Sequence, residues 1–176
     1  MRCLVTGATG YVGGRLVREL LAKGHSVRVL ARTPEKLRDF PWVDQIEVVQ
    51  GDAGDQAAVS AAMQDIDVAY YLLHSLQEGA NLEAAETAIA RSFAEAARDS
   101  RLRRIVYLGG LAPDISMQDM SPHMRSRVQV GQILRDSGVP TVEFRAAVII
   151  GSGSASFEML RYLTERLPAM ITPRWV

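Results

Sequence analysis

Glycines at positions 7, 10 and 13 stand where a short apolar run gives way to a helical pattern, in the order Thr6-Gly7-Ala8-Thr9-Gly10-Tyr11-Val12-Gly13-Gly14. Glycines so spaced at a strand-to-helix junction can cradle a pyrophosphate. One allows the tight turn, one lets the backbone approach the anion, and one lets helix and strand pack closely, while the helix start offers free N–H groups and positive dipole. Gly7, Thr9, Gly10, Tyr11, Val12 and Gly13 are the candidate contacts. A second cluster lies at Val29-Leu30-Ala31-Arg32, which ends a strand pattern without an acid for a ribose 2′-OH. Arg32, helped by Lys36, offers charge-assisted bonds to a 2′-phosphate instead. The pair favours NADP(H) over NAD(H); the alternative is a solvated first turn of a helix after Pro34.

These loops need a frame, and the sequence supplies one. Cys3-Leu4-Val5, Ser26 to Ala31, Ile46 to Gln50, Ile66 to Leu73, Arg104 to Leu108 and Thr141 to Phe144 read as strands bounded by turn residues. Between them, Arg15 to Leu21, Gln56 to Gln64, Asn81 to Arg98 and Pro122 to Ser137 carry helical patterns. Gly24 stops the first helix, and Ser121 with Pro122 starts the last. Strands alternating with helices give right-handed crossovers. The expected class is α/β, a doubly wound parallel sheet in three αβα layers.

The 176 residues suffice for a single core, and 48% apolar with 23% charged residues is an ordinary globular balance. Twenty basic and twenty acidic side chains cancel, so nothing marks the chain for nucleic acid or an anionic membrane. The longest unbroken apolar stretch, Val68 to Leu73, is far short of the roughly 20 residues of a spanning helix. The lone cysteine, Cys3, reads as a small buried hydrophobe and fits a reducing cytoplasm.

TGATGYVG resembles the TGxxGxxG fingerprint of extended and atypical short-chain dehydrogenases/reductases, the group with NmrA-like and epimerase-like members. Gly51-Asp52 after the third strand, Arg104-Ile-Val-Tyr-Leu108, and Arg145-Ala-Ala-Val-Ile-Ile-Gly151 are similar to further family segments, the last with Ala146 in place of a proline. The resemblance implies a Rossmann domain in which Asp52 meets the adenine amino group with Ala53 alongside. It also implies that Leu72, Leu73 and His74 lie under the nicotinamide ribose and that Gly109 borders the cofactor.

Active members of that group carry a Ser, a Tyr and a Lys, the last two at YxxxK spacing, and this sequence departs from all three. In register with the YxxxK helix, Ser121-Pro-His-Met-Arg-Ser-Arg127 puts His123 at the tyrosine position and Arg127 at the lysine position, and Gly109-Gly110-Leu111-Ala112-Pro113 contains no serine. Two readings follow. In one, His123 and Arg127, one helical turn apart on one face, form a modified reductase site. A helix start and a neighbouring cation both disfavour imidazolium, so neutral His123 donates to a carbonyl while Arg127 binds ribose hydroxyls or an anionic substrate. In the other, the domain binds NADP(H) without turnover, as a redox sensor, regulator or accessory subunit.

Residues 1–150 are expected to form the dinucleotide-binding domain, and 151–176 the start of a C-terminal substrate lobe that continues in a longer chain. After Phe157, residues Met159, Leu160, Leu163, Leu167, Met170, Ile171 and Trp175 would present an apolar surface to absent sequence or to a dimer mate. The small-molecule substrate is not legible here.

Overall fold

The computed structural model describes residues 1–74, 82–112 and 114–169. Six strands form one sheet: β1 (Arg2–Thr6), β2 (Ser26–Ala31), β3 (Glu47–Gln50), β4 (Val68–Tyr71), β5 (Arg104–Gly110) and β6 (Thr141–Ala146). Their order is β3-β2-β1-β4-β5-β6, so the chain leaves β1 toward one edge and returns beside it to build the other. The pairs β1–β2, β1–β4, β2–β3 and β4–β5 are parallel. The helices are α1 (Tyr11–Ala22), α2 (Gln56–Ala62), α3 (Leu82–Arg98), α4 (Pro122–Arg135) and α5 (Ala155–Arg166).

The alternation of β1 makes the two faces of the sheet. Leu4 points into a cluster with Val59, Met63, Phe93, Ala97, Val130 and Leu134, which brings α2, α3 and α4 onto one face. Cys3 and Val5 point the other way, to Val17 and Leu20 of α1 and to Leu37 and Trp42 of the segment that links β2 to β3. Strands buried on both faces explain the apolar runs Cys3-Leu4-Val5 of β1 and Val29-Leu30-Ala31 of β2. At the centre of the first cluster Tyr71 meets Phe93 and Tyr107 edge-on, at ring separations of 4.9 and 5.8 Å. On the second face the Trp42 indole N–H donates to the carbonyl of Gly14 at 3.1 Å, and its ring stacks on Phe40.

Local signals act as the sequence implies. The Ser121 hydroxyl accepts from the Met124 N–H at 3.2 Å with Pro122 in the first turn of α4, and Gly24 takes a left-handed φ of 75° behind α1. Several boundaries differ, and three of the differences bear on the candidate site. α1 begins at Tyr11 rather than Arg15, because the glycine loop itself winds into the first turn. β4 is shorter than Ile66 to Leu73, so Leu72, Leu73 and His74 follow the strand instead of ending it. Pro34 opens a 3-10 turn (Pro34–Leu37), not an α-helix, and Lys36 is exposed on it.

The chain divides into two compact units, Met1–Arg145 and Ala146–Val176. In the second, Ser154 precedes α5 and its hydroxyl donates to the carbonyl of Ile149 at 2.8 Å, while Arg161 pairs with Glu158 and Glu165 along the helix. Met159, Leu160, Leu163 and Leu167 are exposed. Met170, Ile171 and Trp175 of the expected tail, with Asn81 and Pro113, lie outside the described residues. Among the described residues no helix is long and apolar enough to cross a membrane, and no group of three or more His, Cys, Asp or Glu is placed to hold a metal ion.

Candidate functional site

The glycine loop is a tight backbone turn with no room for a side chain at Gly7 or Gly13. Gly7 has φ of 74°, and a Cβ there would stand 2.7 Å from the carbonyl oxygen of Leu72; a Cβ on Gly13 would stand 2.2 Å from that of Gly7. The Gly10 N–H donates to the Gly7 carbonyl at 3.0 Å and closes the turn. Thr6 ties it to the neighbouring strand end, its hydroxyl donating to the Tyr70 carbonyl at 3.0 Å and accepting from the Leu72 N–H at 3.3 Å. Gly10 caps α1 without a side-chain hydrogen bond, and the first turn carries no acid. Thr9 and Gly10 are exposed there, and Tyr11 and Val12 half-buried. Such a helix start suits an anion, and these residues fit a dinucleotide pyrophosphate.

The second cluster forms across the tips of β2 and β3. Arg32 lies 3.8 Å from the Asp52 carboxylate, and both side chains are largely exposed. Asp52 also accepts from the Gly54 N–H at 2.8 Å, which fixes its direction, and Ala53 is buried beside it. Lys36 has no bond to either that brings it into this pair.

A third group gathers beyond the carboxyl ends of β4 and β5. Arg127 on α4 is only 8% exposed, and its guanidinium donates to the carbonyl of Leu73, at 3.3 Å, and to that of Leu108. It therefore clamps the segment that follows β4 to the backbone of β5 shortly before its end at Gly110. The expectation of a cation open to ribose or substrate meets a guanidinium already engaged by the backbone. Its own carbonyl accepts from the Tyr107 hydroxyl at 3.0 Å. Burial pushes Tyr107 up to about 12 and raises Tyr71 as well, so neither stands in for the missing acid tyrosine.

His123, at the start of α4, is exposed and meets His74 edge-on with ring centroids 4.8 Å apart. Burial holds its pKa below the ordinary histidine value, and the neighbouring His74 and Arg127 add to the effect in that order. The neutral imidazole is the favoured form of His123. Behind the pair lies Glu86 of α3, 7% exposed, which accepts a hydrogen bond from the Ser126 hydroxyl and faces His74 Nδ1 at 3.6 Å. Neither Glu86 nor Ser126 stood out in the sequence. Ser126 lies one turn after His123 on the same face of α4, a spacing that could have marked it; an acid in an Ala-rich helix gives no such signal.

Gly109 is buried, and a Cβ on it would stand 2.7 Å from the Glu143 carboxylate, which also accepts from Arg135 and Arg145. Its side borders an ionic cluster between β5, β6 and α4.

A family model described as NAD(P)H-binding matches residues 7–148. The chain belongs to this NAD(P)H-binding family. Over 138 residues, 78% of this chain and 44% of the other, it is 36% identical to a (4-alkanoyl-5-oxo-2,5-dihydrofuran-3-yl)methyl phosphate reductase of Streptomyces griseus. It is 44% identical over 70 residues, 40% of this chain and 18% of the other, to a 3 beta-hydroxysteroid dehydrogenase/Delta 5-->4-isomerase of Mycobacterium tuberculosis. The chain thus spans less than half the length of these curated relatives. The NAD(P)H-binding domain shares its fold with the Citrobacter sp. triphenylmethane reductase complexed with NADP(H), at TM-score 0.71 and 21% identity over 94% of this chain and 55% of that one. It likewise matches a Bacillus cereus UDP-glucuronic acid 4-epimerase in complex with NAD, at TM-score 0.75 and 18% identity over 96% of this chain and 64% of that one. The fold is the Rossmann fold that these NAD(P)-binding reductase and epimerase structures share.

Proposed function

We propose that this domain binds NADP(H) in preference to NAD(H), and that it serves a reductase acting on a carbonyl or enone of a small molecule, with His123 as the donor to the substrate oxygen. One juxtaposition carries the reading: an exposed His123, held neutral, stands against His74 beside the strand ends that Arg127 clamps. In open α/β sheets ligands bind outside the carboxyl ends of the strands, where these groups lie. The uncapped start of α1 and the Gly7–Gly13 turn would hold the pyrophosphate, and Arg32 the 2′-phosphate. When bound, the dinucleotide would supply hydride chemistry at the substrate carbon. His123 donates a hydrogen bond to the oxygen where negative charge develops, and Arg127 keeps the β4 and β5 ends in register beneath it. The name of the Streptomyces griseus reductase supports the reaction class. Buried, unpaired Cys3 agrees with a cytoplasmic setting.

Calorimetric titration with NADPH, NADP, NADH and NAD tests the first half. Tight binding of the phosphorylated pair that falls at least tenfold in Arg32→Ala is expected; equal binding of all four removes the preference. NADPH oxidation with a panel of carbonyls and enones tests the second, with about a hundredfold loss of kcat expected in His123→Ala. A second reading, a nucleotide-binding regulator or accessory subunit without turnover, is favoured by one observation: the cation at the lysine position is spent on two backbone carbonyls. Binding of NADPH with no turnover in the panel would select it.

A further inference from the structure

A neutral imidazole cannot release its only N–H proton to a substrate oxygen without forming imidazolate, unless its other nitrogen takes up a proton in the same event. His123 needs a supplier. Among the described residues, the charged and titratable groups that face it are His74 beyond β4, Glu86 on α3 and Arg127 on its own helix. Arg127 does not give up a proton at any working pH and is held by two carbonyls. Glu86 is buried, its carboxylate accepts from the Ser126 hydroxyl, and Tyr71 and Tyr107 of the core lie near it. Among the described groups His74 remains, with its ring edge-on to His123 and its side chain 30% exposed to solvent.

We infer that His74 and Glu86 form, with His123, a proton relay from solvent to the substrate: His74 resupplies His123, and Glu86 holds His74 in place. The inference rests on the reductase reading above. As hydride reaches the substrate carbon, the C=O π pair moves to oxygen; oxygen takes the N–H proton of His123, and the other nitrogen of His123 takes a proton from His74. Water then returns a proton to His74 through its exposed edge. The Glu86 carboxylate, 3.6 Å from Nδ1, sets the orientation of the ring and offsets the positive charge it carries with the proton. The Ser126 hydroxyl fixes the carboxylate in turn. His74 and Glu86 are thus positioning and relay residues that need no contact with the nucleotide.

The test pairs two readouts on the full chain. In the free protein, NMR titration of the His123 ring should move in opposite directions: down in Glu86→Gln, which removes a favourable negative charge, and up in His74→Gln, which removes a competing positive one. With NADPH and a reducible carbonyl, His74→Ala should lose about a hundredfold in kcat, keep its Kd for NADPH within twofold, and recover on addition of free imidazole. Far-UV circular dichroism and thermal melts of each variant verify the fold, and Ser126→Ala gives a milder perturbation of the same carboxylate. A full rate in His74→Ala, or a loss that imidazole does not restore, overturns the relay. Lost NADPH affinity in that variant makes His74 a nucleotide contact instead and also overturns it. Turnover with unmoved His123 titrations defeats the relay and leaves the reductase standing; opposite NMR shifts in a protein that turns over no substrate defeat the reductase reading and the relay with it.

Discussion

Arg127 distinguishes a structural clamp from an open catalytic cation. Its guanidinium makes two charge-assisted hydrogen bonds, to the carbonyls of Leu73 and Leu108, and sits 5.1 Å from the centroid of the Tyr107 ring. Bonds from charged donors contribute roughly 1.5–3 kcal/mol each, so Arg127→Ala removes about 3–6 kcal/mol before water enters to bond the freed carbonyls. Partial rehydration at the strand ends puts the expected net loss at about 3 kcal/mol. At roughly 2–4 °C per kcal/mol for a chain of this size, Tm falls by about 6–12 °C. Arg127→Lys keeps the charge but presents a point donor instead of a fork, and should recover about half of that loss. Urea unfolding and thermal melts followed by circular dichroism measure both variants without any ligand. An Arg127→Ala protein that melts within about 2 °C of the wild type, yet loses nucleotide binding or turnover, would refute the clamp and return Arg127 to the ligand.

Gly13→Ala drives a Cβ to 2.2 Å from the Gly7 carbonyl and 2.8 Å from the Ala8 Cα, both backbone, whereas Gly10→Ala meets only the Gly7 carbonyl at 3.2 Å with an ordinary φ of −83°. The first should cost about 1–3 kcal/mol and abolish NADPH binding by calorimetry, and the second well under half as much stability. His123 has its folded pKa below the unfolded value near 6.5, so the neutral state it favours contributes stability that is present above that pH and lost as pH falls. Urea unfolding between pH 7 and pH 5 should therefore show a shallower loss in His123→Gln than in the wild type; parallel curves would contradict the lowered pKa. Phe93, fully buried against Tyr71 at 4.9 Å, should lose about 3–5 kcal/mol on truncation to alanine, read as a fall in the urea midpoint with unchanged slope.

The frame was legible in the sequence because its signals are local. Apolar runs such as Ser26 to Ala31 and the cap at Ser121-Pro122 need no knowledge of neighbours to be read, and β2 and α4 begin where they indicate. The glycine loop was legible for the same reason. Boundaries slipped where tertiary pairing overrode composition: β4 stops at Tyr71 because Cys3, Leu4 and Val5 of β1 pair with Val68, Ala69 and Tyr70, leaving Leu72 and Leu73 outside that ladder. The third group was half legible. His123 and Arg127 share a helical face by spacing, but only the crossing of α3 over α4 brings Glu86 to Ser126 and His74. Arg127 is a polar residue by type and buried by position, and its carbonyl partners, one just after β4 and one in β5, are remote in sequence, at separations no periodicity reports.

The indole of Trp42 gives the domain an optical reporter. It is 4% exposed, stacked on Phe40, and bonded to the carbonyl of Gly14, one residue past the phosphate turn. A Cβ on Gly14 would lie 2.6 Å from the Phe40 ring, so the aromatic pair and the first turn of α1 are packed without slack. Any ligand that shifts that turn must shift the environment of a buried fluorophore. Binding at the glycine loop can then be followed as a change in emission of the unlabelled protein, with Phe40→Leu as the variant that loosens the coupling and damps the signal.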